Sequence, residues 1–232
     1  MFLSKYIKNL TFRGFNNRRF AFTLAEVLIT LGIIGVVAAL TIPSVVTKYQ
    51  KKSTAIQLKK AFAELENAIK LSEIDNGDMN EWSYPSNTAS DLVRKTFIEQ
   101  YLQPYFRNST IKSFSGKSYS KDRPSLILSD GKMISFSHIG TANWIIIDLN
   151  GLYGPNVAGK DIFVLDIGKN KDYNPKGKLI FWAATCGNNI NCLTGTSWSF
   201  GCNKKNPNEY ENYFCGKIIQ LNNWEIPDNY PW

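Results

Sequence analysis

The sequence predicts an α+β fold, with a long N-terminal helix followed by an antiparallel sheet, and three observations predict it. Residues 22–46 are apolar save for one carboxylate, residues 58–69 place large apolar groups at helical spacing, and from Ser125 onward the hydrophobic period becomes that of strands. The 232 residues, 44% hydrophobic and 13% aromatic, suffice for one ordinary domain plus an anchor and exclude a largely disordered chain.

Met1–Ala21 is polar and basic, carrying Lys5, Lys8, Arg13, Arg18 and Arg19 with no acidic residue. It reads as a leader without a fold of its own. These five charges supply most of the net +8, so the chain from Phe22 onward carries only +3. So small an excess gives no argument for nucleic-acid binding. Basic residues ahead of an apolar segment stay cytoplasmic, which sets the chain N-inside and C-outside. The apolar run 22–46 has 25 residues. Roughly 20 are needed to cross a hydrocarbon core of about 30 Å, and a secretory signal uses only about 7–15. Ala25, Gly32, Gly35, Ala38 and Ala39 give small surfaces where helices approach closely. Pro43 lacks a backbone donor and is expected to kink or loosen the helix.

Glu26 is the single ionisable side chain between Phe22 and Val46. An ionised carboxylate in a bilayer costs about 2.5–3.5 kcal/mol or more. Either it lies near the cytoplasmic end and reaches the headgroups, or it has a partner. A cut between Ala21 and Phe22 would supply one, because the new α-amino group lies one helical turn from Glu26, within a subunit or between packed ones. The stretch Arg18-Arg19-Phe20-Ala21 followed by Phe22-Thr23-Leu24-Ala25-Glu26 resembles the class III signal of type IV pilins and type II secretion pseudopilins. The resemblance implies cleavage by a prepilin peptidase before Phe22, N-methylation of Phe22, Glu26 as the assembly glutamate and Pro43 as the helix-loosening proline. It covers about 30 of the 232 residues and departs from the family at Ala21, where glycine usually precedes the cut.

A pilin-like layout follows, with residues 1–21 a leader that is removed, 22–46 the membrane and assembly half of the long helix, 47–76 its amphipathic half, and 77–232 a globular head. In the amphipathic half Leu58, Phe62, Leu65 and Ile69 recur at spacings of four, three and four, and form the face on which a head would rest rather than a coiled-coil seam. Asn76-Gly77 stops the helix. After a linker holding Trp82, Tyr84 and Pro85, a short helix is expected to start near Thr88 or Ser90, where Thr88-Ala89-Ser90-Asp91 resembles a capping box, with Leu92, Ile98, Tyr101 and Leu102 facing inward and Pro104 ending it. Residues 126–128 and 133–136 flank Asp130-Gly131 as a hairpin with a type I′ turn. Further strands are expected at 144–148, 161–167 and 178–183.

Two features of the head carry chemistry. Between the strands at 144–148 and 161–167, Asp148, Asn150 and Asp161 offer oxygen ligands to calcium, although the twelfth position from Asp148 is Gly159 rather than the acid an EF-hand requires. The same Asp, Asn, Gly and Pro residues are also what a structural turn demands. Apart from that calcium reading, no cofactor is expected. Cys186, Cys192, Cys202 and Cys215 all fall in the last 47 residues, on the outside of the membrane in this topology, and read as disulfides. Three pairings exist, and Cys186–Cys192 with Cys202–Cys215 closes short local loops. Spacings of five, nine and twelve lack the CxxC pairs of a zinc site. Phe214, Ile218 and Leu221 fit a short helix, and Tyr230 and Trp232 are expected to pack on the head.

His138 is the one histidine, and no phosphate loop or histidine-rich metal motif accompanies it, so no catalytic constellation is assembled. The expectation is a non-enzymatic structural subunit of a type IV pilus or type II secretion pseudopilus. Its partners would be prepilin peptidase, the inner membrane and other pilin or pseudopilin subunits in a helical polymer. The alternative is a single-pass anchored binding or adhesion protein that never polymerises.

Overall fold

The computed structural model describes residues 22–113, 123–139, 141–197, 199–205 and 211–232. The leader reading, Ala21 included, lies outside the described residues. The chain divides into two units, Met1–Val46 and Thr47–Trp232. Helix α1, Leu24–Asn76, contributes to both and is assigned without a break through Pro43.

In the first unit, residues 22–46 expose Leu28, Ile33, Ile34, Val36, Val37 and Leu40 by 54–76% each. α1 is long and apolar enough to cross a membrane, and none of its apolar window is buried within the chain. Its hydroxyls are turned back onto the helix: Thr30 Oγ1 donates to the Val27 carbonyl, Thr41 Oγ1 to Val37 and Ser44 Oγ to Thr41, each at 2.9 Å. A polar group in hydrocarbon needs such an internal acceptor.

The second unit is built on six strands, β1 Thr110–Ser113, β2 Pro124–Ile127, β3 Met133–Ile139, β4 Ala142–Asp148, β5 Ile162–Asp166 and β6 Ile180–Phe181. They pair in sequence order, every pair antiparallel. Side chains opposite one another share a face. One such row runs Phe136, Ile145, Leu165, Phe181 across four strands. Phe62 of α1 stacks on Phe181 at 5.2 Å, and Phe97 of α2 (Asp91–Tyr101) meets Phe136 at 4.6 Å. Helices therefore cover this face, and α1 buries Ala55, Leu58, Ala61, Leu65, Ala68, Ile69 and Ser72 in the head. The opposite face carries Trp144 and Trp182, covered by Tyr173 (5.0 Å from Trp182) and by Phe200 and Tyr213 (6.4 and 5.3 Å from Trp144). Between α1 and the β2–β3 turn lies a charge network. Lys132, 4% exposed, pairs with Glu64 at 3.6 Å and with Asp130, and Lys60 reaches Asp130 at 3.5 Å.

Several local expectations are corrected. α2 opens on Ser90, one of the two expected starts, whose Oγ accepts from the Val93 N–H at 3.4 Å; the capping contact is this one rather than a Thr88–Asp91 box. Leu92 does not face inward; it is 71% exposed, because the buried stripe Arg94, Phe97, Ile98, Tyr101 lies on another side of the helix. In the β2–β3 turn only Gly131 has positive φ, +87°, and the Gly131 N–H donates to the Leu128 carbonyl at 3.0 Å. That is a type I turn followed by a left-handed glycine, whereas type I′ needs positive φ at both central residues. Strand β1 and the five-residue helix α3, Ile190–Thr194, were not anticipated, and α4 spans Cys215–Leu221 after Phe214.

Candidate functional site

Phe22, 84% exposed, precedes the helix, and Thr23 caps it. The Thr23 N–H and the Thr23 hydroxyl both donate to Glu26 Oε2 at 2.8 Å, while the Glu26 N–H donates to Thr23 Oγ1 at 3.2 Å. This is a reciprocal capping box, closed by Val27 N–H donating to the Thr23 carbonyl at 3.2 Å. In the single chain the partner of Glu26 is Thr23, and the Thr-x-x-Glu spacing that signals this is present in the sequence. Glu26 Oε1 has no partner among the described residues. Further along the helix, a Cβ added at Gly32 or Gly35 would meet nothing within 4 Å, so backbone is exposed there. Pro43 deprives the Ala39 carbonyl of its donor further along the helix.

In the head, the connection from β4 to β5 is organised by two buried aspartates, Asp148 at 2% and Asp161 at 5% exposure. Asp148 Oδ1 accepts the backbone N–H groups of Asn150 at 3.2 Å and Gly151 at 2.9 Å. Asp161 accepts those of Asn156 at 2.7 Å and Val157 at 2.6 Å, one on each oxygen. Burial, and then the charge of Asp161, push the Asp148 carboxyl up to about 7. Gly151, at φ +62°, has no room for a side chain, since a Cβ would stand 2.3 Å from the Gly131 carbonyl oxygen. Gly159, at φ +85°, passes beneath the Cys202–Cys215 bridge, where a Cβ would stand 2.9 Å from Cys215 Sγ. The Tyr230 hydroxyl donates to the Gly159 carbonyl. Asp148, Asn150 and Asp161 are thus brought into one loop, with Asn156 added to them.

The second disulfide joins Cys186 to Cys192. His138 Nδ1 lies 2.9 Å from Asn143 Oδ1, and among the described residues no three His, Cys, Asp or Glu side chains are grouped to hold a metal. Asp166 is fully buried on the tryptophan-bearing face, and burial pushes its carboxyl up to about 7, against weaker downward pulls from the Asn143 and Ile167 backbone and the Asn174 side chain. None of these donors reaches full hydrogen-bond geometry with it.

Residues 16–42 match the model of the prokaryotic N-terminal methylation motif, the signal of type IV pilins and pseudopilins. No curated protein and no solved structure matches the chain. The model of a family of unknown function, DUF6613, matches residues 44–232, over four fifths of the sequence, and the chain belongs to that family.

Proposed function

We propose that this protein is a prepilin whose leader, residues 1–21, is removed between Ala21 and Phe22, whose new amine is N-methylated, and which polymerises through residues 22–46 into a type IV pilus or type II secretion pseudopilus. The methylation motif over residues 16–42 is the observation that carries this reading. The exposed apolar stretch supports it, because so much apolar surface, at about 25 cal/mol per Å2, needs lipid or other helices around it. Residues 47–76 then seat the head, 77–232, outside the inner membrane. The subunit acts without catalysis. Helix packing supplies contact, and Glu26 meets the Phe22 amine of a neighbouring subunit, which fixes axial register.

The first test is intact mass and N-terminal sequencing of the protein from its native membrane fraction. A chain beginning at N-methyl-Phe22 is expected. An uncut chain, or one cut elsewhere, would instead make it a single-pass anchored binding protein. Glu26→Ala is expected to be cleaved yet absent from sheared filaments. Its normal incorporation would refute the register role.

A further inference from the structure

We propose that the β4–β5 loop is a calcium site in which Asp148 Oδ2, Asn150 Oδ1 and Asn156 Oδ1 are the side-chain ligands. These three oxygens are shielded from solvent and have no hydrogen-bond partner among the described residues. All three are acceptors. Leaving one buried acceptor unsatisfied costs about 1–3 kcal/mol, and more for a charged one. A proton would answer only one of the three. A cation answers all three and also neutralises the carboxylates.

The loop is built to hold these atoms rather than to shed them. The Asn150 amide is oriented by its Nδ2 donating to the Gly154 carbonyl at 3.0 Å, so Oδ1 is the atom left over. Asn156 sits at φ +54° with its N–H on Asp161 Oδ2 at 2.7 Å. Asp148 keeps Oδ2 free because its other oxygen takes both backbone donors. Asp161, whose two oxygens each accept an N–H, shapes the loop and adds a second negative charge. Among the described residues no lysine or arginine is ion-paired with either aspartate. The Cys202–Cys215 bridge and Tyr230 close over Gly159 and leave the loop little freedom to rearrange.

An all-oxygen donor set selects a hard cation. Calcium takes 6–8 oxygens at about 2.3–2.6 Å and accepts amide and backbone carbonyls beside carboxylates, whereas magnesium insists on an octahedron and keeps its waters. Zinc would call for nitrogen or sulfur. Because only one of the three side-chain donors is acidic, the site depends on the two asparagine oxygens.

The test uses the full chain in detergent micelles, stripped with chelator and titrated with calcium by calorimetry, with thermal unfolding in parallel. One saturable site with a Kd on the order of 10⁻⁴ M or tighter is expected, with a calcium-dependent rise in Tm. Asp148→Asn should abolish the heat. Asn156→Gly keeps the backbone conformation open, since glycine accepts positive φ. It should weaken binding tenfold or more while leaving the calcium-free Tm nearly unchanged. No heat and no Tm shift at roughly 10 mM calcium, above the weakest extracellular range, would overturn the proposal. So would an unaltered Kd in Asn156→Gly, or equal affinity for magnesium. Should Asp148→Asn fail to fold, the Asn156→Gly titration decides alone. Neither outcome depends on whether the chain polymerises.

Discussion

Glu26 illustrates how a charge is tolerated inside an apolar helix before any neighbour arrives. Its Oε2 collects two donors from Thr23, so the single chain does not present a bare carboxylate. Thr23→Val removes the hydroxyl donor and keeps the backbone one. Loss of such a cap costs about 0.5–2 kcal/mol, so under the proposed assembly filament incorporation is expected to fall below wild type without disappearing, as measured in sheared fractions. Asp166 poses the opposite case, a buried acid without a good partner. Its folded pKa of about 7 lies above the ordinary 3.8, so the folded state holds a proton that the unfolded state has released. The sign is therefore fixed. This contribution is favourable at low pH and is lost as pH rises from about 4 through 7. Unfolding experiments should find the head less stable at pH 8 than at pH 5, and Asp166→Asn should reduce that slope while leaving the share that Asp148 contributes in the same window.

At the scale of elements, the α1 stripe and the sheet row it faces dominate the head. Leu58 and Leu65 are fully buried, and truncating either leaves a void between helix and sheet. Leu65→Ala is expected to cost about 2–5 kcal/mol in chemical denaturation, whereas Leu92→Ala, on an exposed position, should cost almost nothing. The contrast also shows what the sequence makes legible. Leu58, Phe62, Leu65 and Ile69 announce their face by spacing, and β3, β4 and β5 announce themselves by β-branched and aromatic runs. β1 has little to announce. Its four residues include one sizeable apolar side chain, Ile111, and its pattern is largely exposed, so its strand character comes from pairing with β2. Leu92 misleads because hydrophobicity alone does not reveal where a helix begins, and the Ser90 cap sets its phase. In the site, Asp148, Asn150 and Asp161 are visible as a motif. Asn156 stands in the same stretch, at Gly154-Pro155-Asn156, but spacing does not single it out, because its place depends on a left-handed backbone and a hydrogen bond to Asp161.

For the whole molecule, the tail and the loop form one device. The Cys202–Cys215 bridge, Gly159 and Tyr230 converge, so the far end of the chain clamps the β4–β5 connection. Replacing Cys202 and Cys215 together by serine is expected to cost about 2–4 kcal/mol. It should also raise amide exchange around Gly159, as hydrogen-exchange mass spectrometry would record. The Phe62–Phe181 stack has a consequence of a different kind, in time rather than in space. The two rings are 119 residues apart in the chain, and at a synthesis rate of about 5–20 residues per second the second follows the first by roughly 6–24 s. For that interval the stripe of α1 has been made and its cover has not. A newborn chain thus presents two sticky surfaces in succession, first one suited to lipid and then one awaiting its own sheet. On the proposed topology, a holdase that shields the second surface without delaying burial of the first would raise the yield of folded head.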